Sequence, residues 1–88
     1  MGNVARGVRI QVKCRGQPGH GSLFIEDTAA EKLQRVINSF LAFRAEQKKI
    51  FDSDPEQSVG KMITVNLTKI EGGSQVNVVP TELTACAW

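Results

Sequence analysis

The chain has 88 residues, a formal net charge of +2, 41% apolar residues and 23% charged residues. That length holds one small domain with a modest core, and the mixture is that of an ordinary globular chain rather than a disordered one. A nucleic-acid binder is excluded on charge and on aromatic content. Lys and Arg are interspersed with Glu and Asp, and four Phe, one Trp and no Tyr offer no platform for stacked bases.

From Val8 to Cys14 apolar and polar residues alternate strictly, with Val8, Ile10, Val12 and Cys14 set against Arg9, Gln11 and Lys13. A period of two predicts a strand with one buried face. Gly16 to Ser22, GQPGHGS, breaks the pattern with three glycines and a proline and reads as a loop. It carries the sole histidine, His20. Thr28-Ala-Ala-Glu31 fits a capping box, and Asp27 suits the positive end of a helix dipole. Ala30, Leu33, Ile37, Phe40 and Leu41 then fall at helical spacing, widened by Val36 and Phe43, which predicts an amphipathic helix to about Ile50. Arg44, Lys48 and Lys49 fall near its negative end. The stripe is wide for one small sheet, so part of it is expected to meet another chain.

Asp52 to Gly60 is polar and holds Pro55, as a surface connection does. Lys61 to Ile70 alternates again, with Ile63, Val65 and Leu67 on one side, and reads as a second strand. Glu71 to Ser74 is a turn with room for positive φ, from which a hairpin returns. Pro80 cannot donate to a ladder and marks an interruption or an edge. Thr81 to Trp88 reads as a third strand. The order β-α-β-β predicts an α+β domain spanning residues 1–88, an antiparallel sheet with a long helix packed on one face.

Cys14 and Cys86 form no C-x-x-C pair and no zinc-ligand spacing, and read as small buried hydrophobes in a reducing compartment. No basic stretch followed by an apolar run opens the chain, and no apolar run approaches membrane-spanning length. A cytoplasmic protein without a membrane partner is therefore expected. The residues alone make a poor case for catalysis. One histidine and two strand cysteines do not make a zinc site. Ser22, two residues from His20, is local loop geometry rather than part of a Ser-His-Asp triad with Asp27. Glu26-Asp27 is explained by helix-start electrostatics. GQPGHG lacks the Lys-Ser/Thr of a phosphate loop. On this reading His20 is a loop residue bonded to its neighbours.

Taken in order, PGHGS at 18–22, FIEDTAAEKLQRVINSFLAFR at 24–44, SVGKMITVNLTKIEGG at 58–73 and NVVP at 77–80 resemble the lid, or dimerisation, domain of the aminoacylase-1 family. That family belongs to the zinc-dependent amidohydrolases and exopeptidases that include carboxypeptidase G and acetylornithine deacetylase. The resemblance runs from about Val8 to Trp88. It implies a truncated version of a β-α-β-β-α-β lid, without the second helix, the last strand and an arginine that joins the substrate-carboxylate clamp. It implies a homodimer, formed through the helix and sheet edge, of an enzyme that hydrolyses N-acyl-L-amino acids. A separate catalytic domain would bind the zinc, so this chain would hold no metal and be inactive alone. By position His20 would be catalytic, stabilising the oxyanion in the partner subunit's active site, and Asn77 would be substrate-binding, at the carboxylate end. Asn77 also has a plain alternative, a hydrogen bond to its own turn. A stand-alone, non-catalytic dimerisation domain is the competing reading of the whole chain, and the open edge left by the absent last strand predicts association in either case.

Overall fold

A computed structural model describes residues 7–53 and 64–88 of the chain. Two antiparallel sheets and one helix make up the described part. Strands β1 (Ile10–Arg15), β5 (Glu82–Ala87) and β3 (Leu67–Gly72) form a three-stranded sheet in the order β1-β5-β3, and β2 (Gly19–His20) pairs with β4 (Val78–Val79). Helix α1 (Ala29–Ser53) packs on β5 and β1. The α+β class and the helix on one sheet face are as the sequence pattern predicts.

The last strand in sequence is the middle strand in space. Val12 pairs with Ala85 and Cys14 with Leu83, while Ile70 on the other side also pairs with Ala85. Flanked on both edges, β5 is the best-buried strand, with Ala85 and Ala87 each 1% exposed. Its period-two pattern holds, yet Thr84 and Cys86 on the second face are buried too. The long side chains of its neighbours cover them, as when Gln11 Nε2 approaches Cys86 Sγ to 4.0 Å. Cys14 and Cys86 are both free thiols.

The core on the helix side is small: Cys14, Leu33 and Ala85, with Val12, Val36, Ile37 and Leu83 packed against them. Methyl-sized side chains on β5 let the helix lie close to the sheet. The buried stripe of α1 starts at Ala29 and Leu33, and Ala30, expected on it, is exposed. Two strands present too narrow a floor to cover the full stripe. Leu41 and Phe43 stay exposed, and so does Ile70, which lies on the helix side of β3 outside the helix's shadow.

The capping box forms as predicted. Thr28 N–H and Oγ1–H both donate to Glu31 Oε1 at 3.0 Å, and Glu31 N–H returns a bond to Thr28 Oγ1 at 3.1 Å. The Thr28 backbone N–H first, then its hydroxyl, and the Arg35 charge hold the Glu31 carboxyl below the usual carboxylate range. The helix runs to Ser53, so Asp52 belongs to it rather than to the connection, and its last turn has no basic residue. Lys48 lies a turn earlier and pairs with Asp52 at 2.9 Å. Residues 54–60 of the expected connection and Lys61–Ile63 of the expected second strand lie outside the described residues. That strand begins at Leu67, although Asn66 and Trp88 already exchange backbone bonds of 2.9 and 3.0 Å. A bulge between Leu67 and Lys69 resets its alternation. The turn after it uses positive φ at Gly72 (140°) and Gly73 (90°), as predicted.

Gly16 works by space rather than by torsion. A Cβ there would collide with backbone atoms of Asp27, Thr28 and Ala29. The end of β1 therefore abuts the helix start, where Gln17 N–H donates to Asp27 O at 3.0 Å and Lys32 Nζ to Arg15 O at 2.7 Å. Asp27 itself takes φ 55°, in the left-handed region where Asp is better tolerated than most residues.

Gly16→Ala is expected to cost about 1–3 kcal/mol in a denaturant titration, because backbone on both sides must move; an unchanged midpoint would contradict the close approach. Glu31 supplies stability while ionised. Its folded pKa is depressed, so that contribution is complete above the ordinary carboxylate pKa and is lost as pH falls through the lowered one. A Glu31→Gln variant should show a flatter fall in stability over that acidic window than the parent chain.

Candidate functional site

The two short strands continue the ladder between β1 and β5. Arg15 faces Glu82, Gly16 N–H donates to Thr81 O at 2.9 Å, Gly19 faces Val79 and His20 faces Val78. Gly21 N–H then donates to Asn77 O at 2.8 Å. Between the two ladders the register slips by one residue, residues 16–18 facing 80–81. Pro18 and Pro80 sit at that slip, where neither can donate a ladder bond. One kinked antiparallel ribbon thus runs from the sheet to a tip that carries the histidine loop on one strand and the Asn77 turn on the other.

The predicted loop is in part strand, which corrects the expectation for residues 19–20. Two residues are too few for any periodicity to show. The glycines of GHG also serve close approach, since neither takes positive φ. Ile25 packs where a Gly19 side chain would be, and a Cβ on Gly21 would stand 3.3 Å from Asn77 O.

His20 is exposed, and its ring is held at one nitrogen. Ser22 N–H donates to Nδ1 at 3.1 Å, and Ser22 Oγ lies 2.7 Å from the same atom. Leu23 N–H donates to His20 O at 3.1 Å and closes the turn. Among the described residues no protein group bonds to Nε2. Asn77 is exposed as well. Its turn is closed by Val78 N–H donating to Gln75 O at 3.3 Å, and its side-chain amide has no partner among the described residues. The turn therefore does not occupy the amide, the plain alternative raised above. The ribbon tip is rimmed with apolar side chains open to solvent: Leu23 is 63% exposed, Phe24 106% and Val76 107%.

Among the described residues no three His, Cys, Asp or Glu side chains come together as a metal site. No described helix is long and apolar enough to cross a membrane. Asp27 is engaged at the helix start through its backbone, and no bond links it to His20 or Ser22. What the tip can do chemically is offer hydrogen bonds, from an imidazole and from a carboxamide, to a group placed against it.

The sequence that builds this domain and its ribbon matches a known family. The chain belongs to the peptidase dimerisation domain family, whose model matches residues 6–87. It is similar to aminoacylase-1A of Rattus norvegicus, 52% identical over 77 residues, which is 88% of this chain and 19% of the rat protein. Aminoacylase-1 of Sus scrofa is 53% identical over 77 residues, with the same coverage of each chain. Aminoacylase-1 of Dictyostelium discoideum is 37% identical over 87 residues, 86% of this chain and 21% of that protein. The chain thus spans about a fifth of the length of the relatives it matches.

The ribbon makes a direct prediction. In a hydrogen-exchange measurement the Gly21 amide, bonded across to Asn77, should exchange more slowly than unbonded amides of the same loop. Exchange at the unprotected rate would mean that the tip does not close.

Proposed function

We propose that this chain is the lid, or dimerisation, domain of an aminoacylase that cleaves N-acyl-L-amino acids to a carboxylate and an L-amino acid. In this reading residues 1–88 form a single domain, and the rest of the longer protein holds the zinc and carries out bond cleavage. In the same reading the part played by this chain is to hold and polarise substrate. His20 donates its Nε2–H to the carbonyl oxygen as negative charge builds on it. A donor already in place for charge that forms only in the transition state lowers the barrier without lowering it equally for bound substrate. Asn77 donates its amide to the substrate carboxylate.

The observation that carries the reading is the pairing of the GHG strand with the Asn-Val-Val strand. It brings two residues 57 positions apart to one ribbon tip, with one ring nitrogen and one amide left for a ligand. The apolar rim supports a tip that inserts into another body, since exposed apolar side chains grouped around polar donors are a usual mark of an interaction site. The body we favour is the active site of a second copy of the protein, in a homodimer formed through α1 and a sheet edge. A reducing, cytoplasmic setting agrees with the two free cysteines. The alternative, a dimerisation device without catalytic contacts, draws on the open edges of β1 and β3 and on exposed Leu41, Phe43 and Ile50 along the helix.

The test is a graft. This chain replaces the corresponding segment of rat aminoacylase-1A, and hydrolysis of an N-acetyl amino acid is measured with and without His20→Ala. A fall of about a hundredfold to a thousandfold, mostly in kcat and with an unchanged dimer, is the expected result. Near-normal turnover would leave only the dimerisation role.

A further inference from the structure

We propose that Ser22 is a positioning residue that holds His20 as the Nε2–H tautomer and aims that N–H outward from the ribbon tip. One atom decides the tautomer. A backbone N–H can donate but never accept, and the Ser22 N–H points at His20 Nδ1 from 3.1 Å. Nδ1 must therefore present its lone pair. The Ser22 hydroxyl lies nearer still, 2.7 Å from the same nitrogen. With Nδ1 an acceptor, the hydroxyl hydrogen also turns toward it. The opposite tautomer would set an Nδ1 hydrogen against the amide hydrogen of Ser22, and a doubly protonated ring would do the same.

Two donors from one residue thus decide where the imidazole proton sits. They also orient the ring, because the lone pair of Nδ1 lies in the ring plane and must point toward them. Gly21 between the two residues is in turn tied to Asn77 O at 2.8 Å, so the histidine and its positioning residue are anchored to the opposite strand. Ser22 need not touch substrate for this. The same spacing that rules out a hydrolytic triad is the spacing that lets a serine side chain fold back on a ring two residues earlier. The catalytic meaning of the arrangement rests on the reading of His20 as an oxyanion donor, whereas the tautomer itself does not.

His20 is the sole histidine of the chain, so labelling histidine with 15N yields one ring and no assignment problem. In mildly alkaline buffer the ring of the 88-residue chain should show a pyridine-like Nδ1 and a pyrrole-like Nε2. Ser22→Ala keeps the backbone donor and loses the hydroxyl, so both signals should move part of the way toward the averaged values of free imidazole, and Ser22→Thr, which keeps the hydroxyl, should restore them. An averaged ring in the parent chain would overturn the tautomer, and a Ser22→Ala spectrum identical to the parent would overturn the part given to the Ser22 side chain. In the rat graft Ser22→Ala should lower kcat about threefold to tenfold with KM little changed, the range expected for loss of one neutral hydrogen bond, and Ser22→Thr should recover most of it. An unchanged kcat in Ser22→Ala beside a large loss in His20→Ala would sink the positioning role and leave the donor reading standing. A harmless His20→Ala would sink the donor reading, while the ring spectrum would still decide the tautomer.

Discussion

The cross-strand ladder between residues 10–21 and 77–87 is the interaction on which the rest of this structure depends. It joins the sheet to the candidate site. At its base it buries β5 between two neighbours, and at its tip it brings His20 and Asn77 together. A one-residue slip at Pro18 and Pro80 separates the sheet ladder from the arm of ribbon that carries the histidine loop. Prolines on both strands make the break specific, since each removes a donor where a ladder bond would otherwise form.

The helix start is fitted to the same place. Gly16 lies where the sheet ladder gives way to the arm, and the absence of a side chain there lets the backbone of Asp27 to Ala29 close over it. Thr28 and Glu31 satisfy the first helical amides, and Lys32 reaches back to Arg15 O. The arm thus leaves the domain from its best-braced corner, between a capped helix and the central strand. The far half of α1 is held differently, by polar contacts such as Arg44 Nε donating to Asn66 Oδ1 at 3.1 Å, and it leaves apolar side chains exposed. The small core thus lies at one end of the helix, and apolar side chains are left exposed toward the other.

Local signals foretold the local parts of this fold. The capping box at Thr28 and the paired glycines at 72 and 73 each act within a few residues, and each appears in the structure where the sequence pattern puts it; the alternation around Val12 yields a strand as well, but it begins at Ile10, and of its expected buried face Val8 and Ile10 are exposed. What the sequence did not disclose is long-range register. No periodicity reveals that residues 19–20 pair with 78–79, that the last strand sits in the middle of the sheet, or that a bulge at Thr68 resets the faces of β3. The stripe on the helix departs from its pattern at Ala30, which is exposed where Ala29 is buried, and at Leu41 and Phe43, because the width of its floor depends on how many strands lie beneath it. His20 and Asn77 were singled out through a resemblance carried by PGHGS and NVVP, and their closeness followed only from the ladder. Ser22 was set aside as local geometry, and local geometry is the source of its bond to the histidine ring.

Cross-strand proton contacts at the ribbon tip test the central claim most directly. In a nuclear Overhauser spectrum of the chain, Gly19 should show contacts to Val79, and His20 to Val78, alongside the ladder contacts of Val12 with Ala85. That pattern would establish a single ribbon carrying both candidate residues to one tip. Sheet contacts between β1 and β5 without any between residues 19–20 and 78–79 would contradict it, and would leave His20 and Asn77 on two unrelated loops.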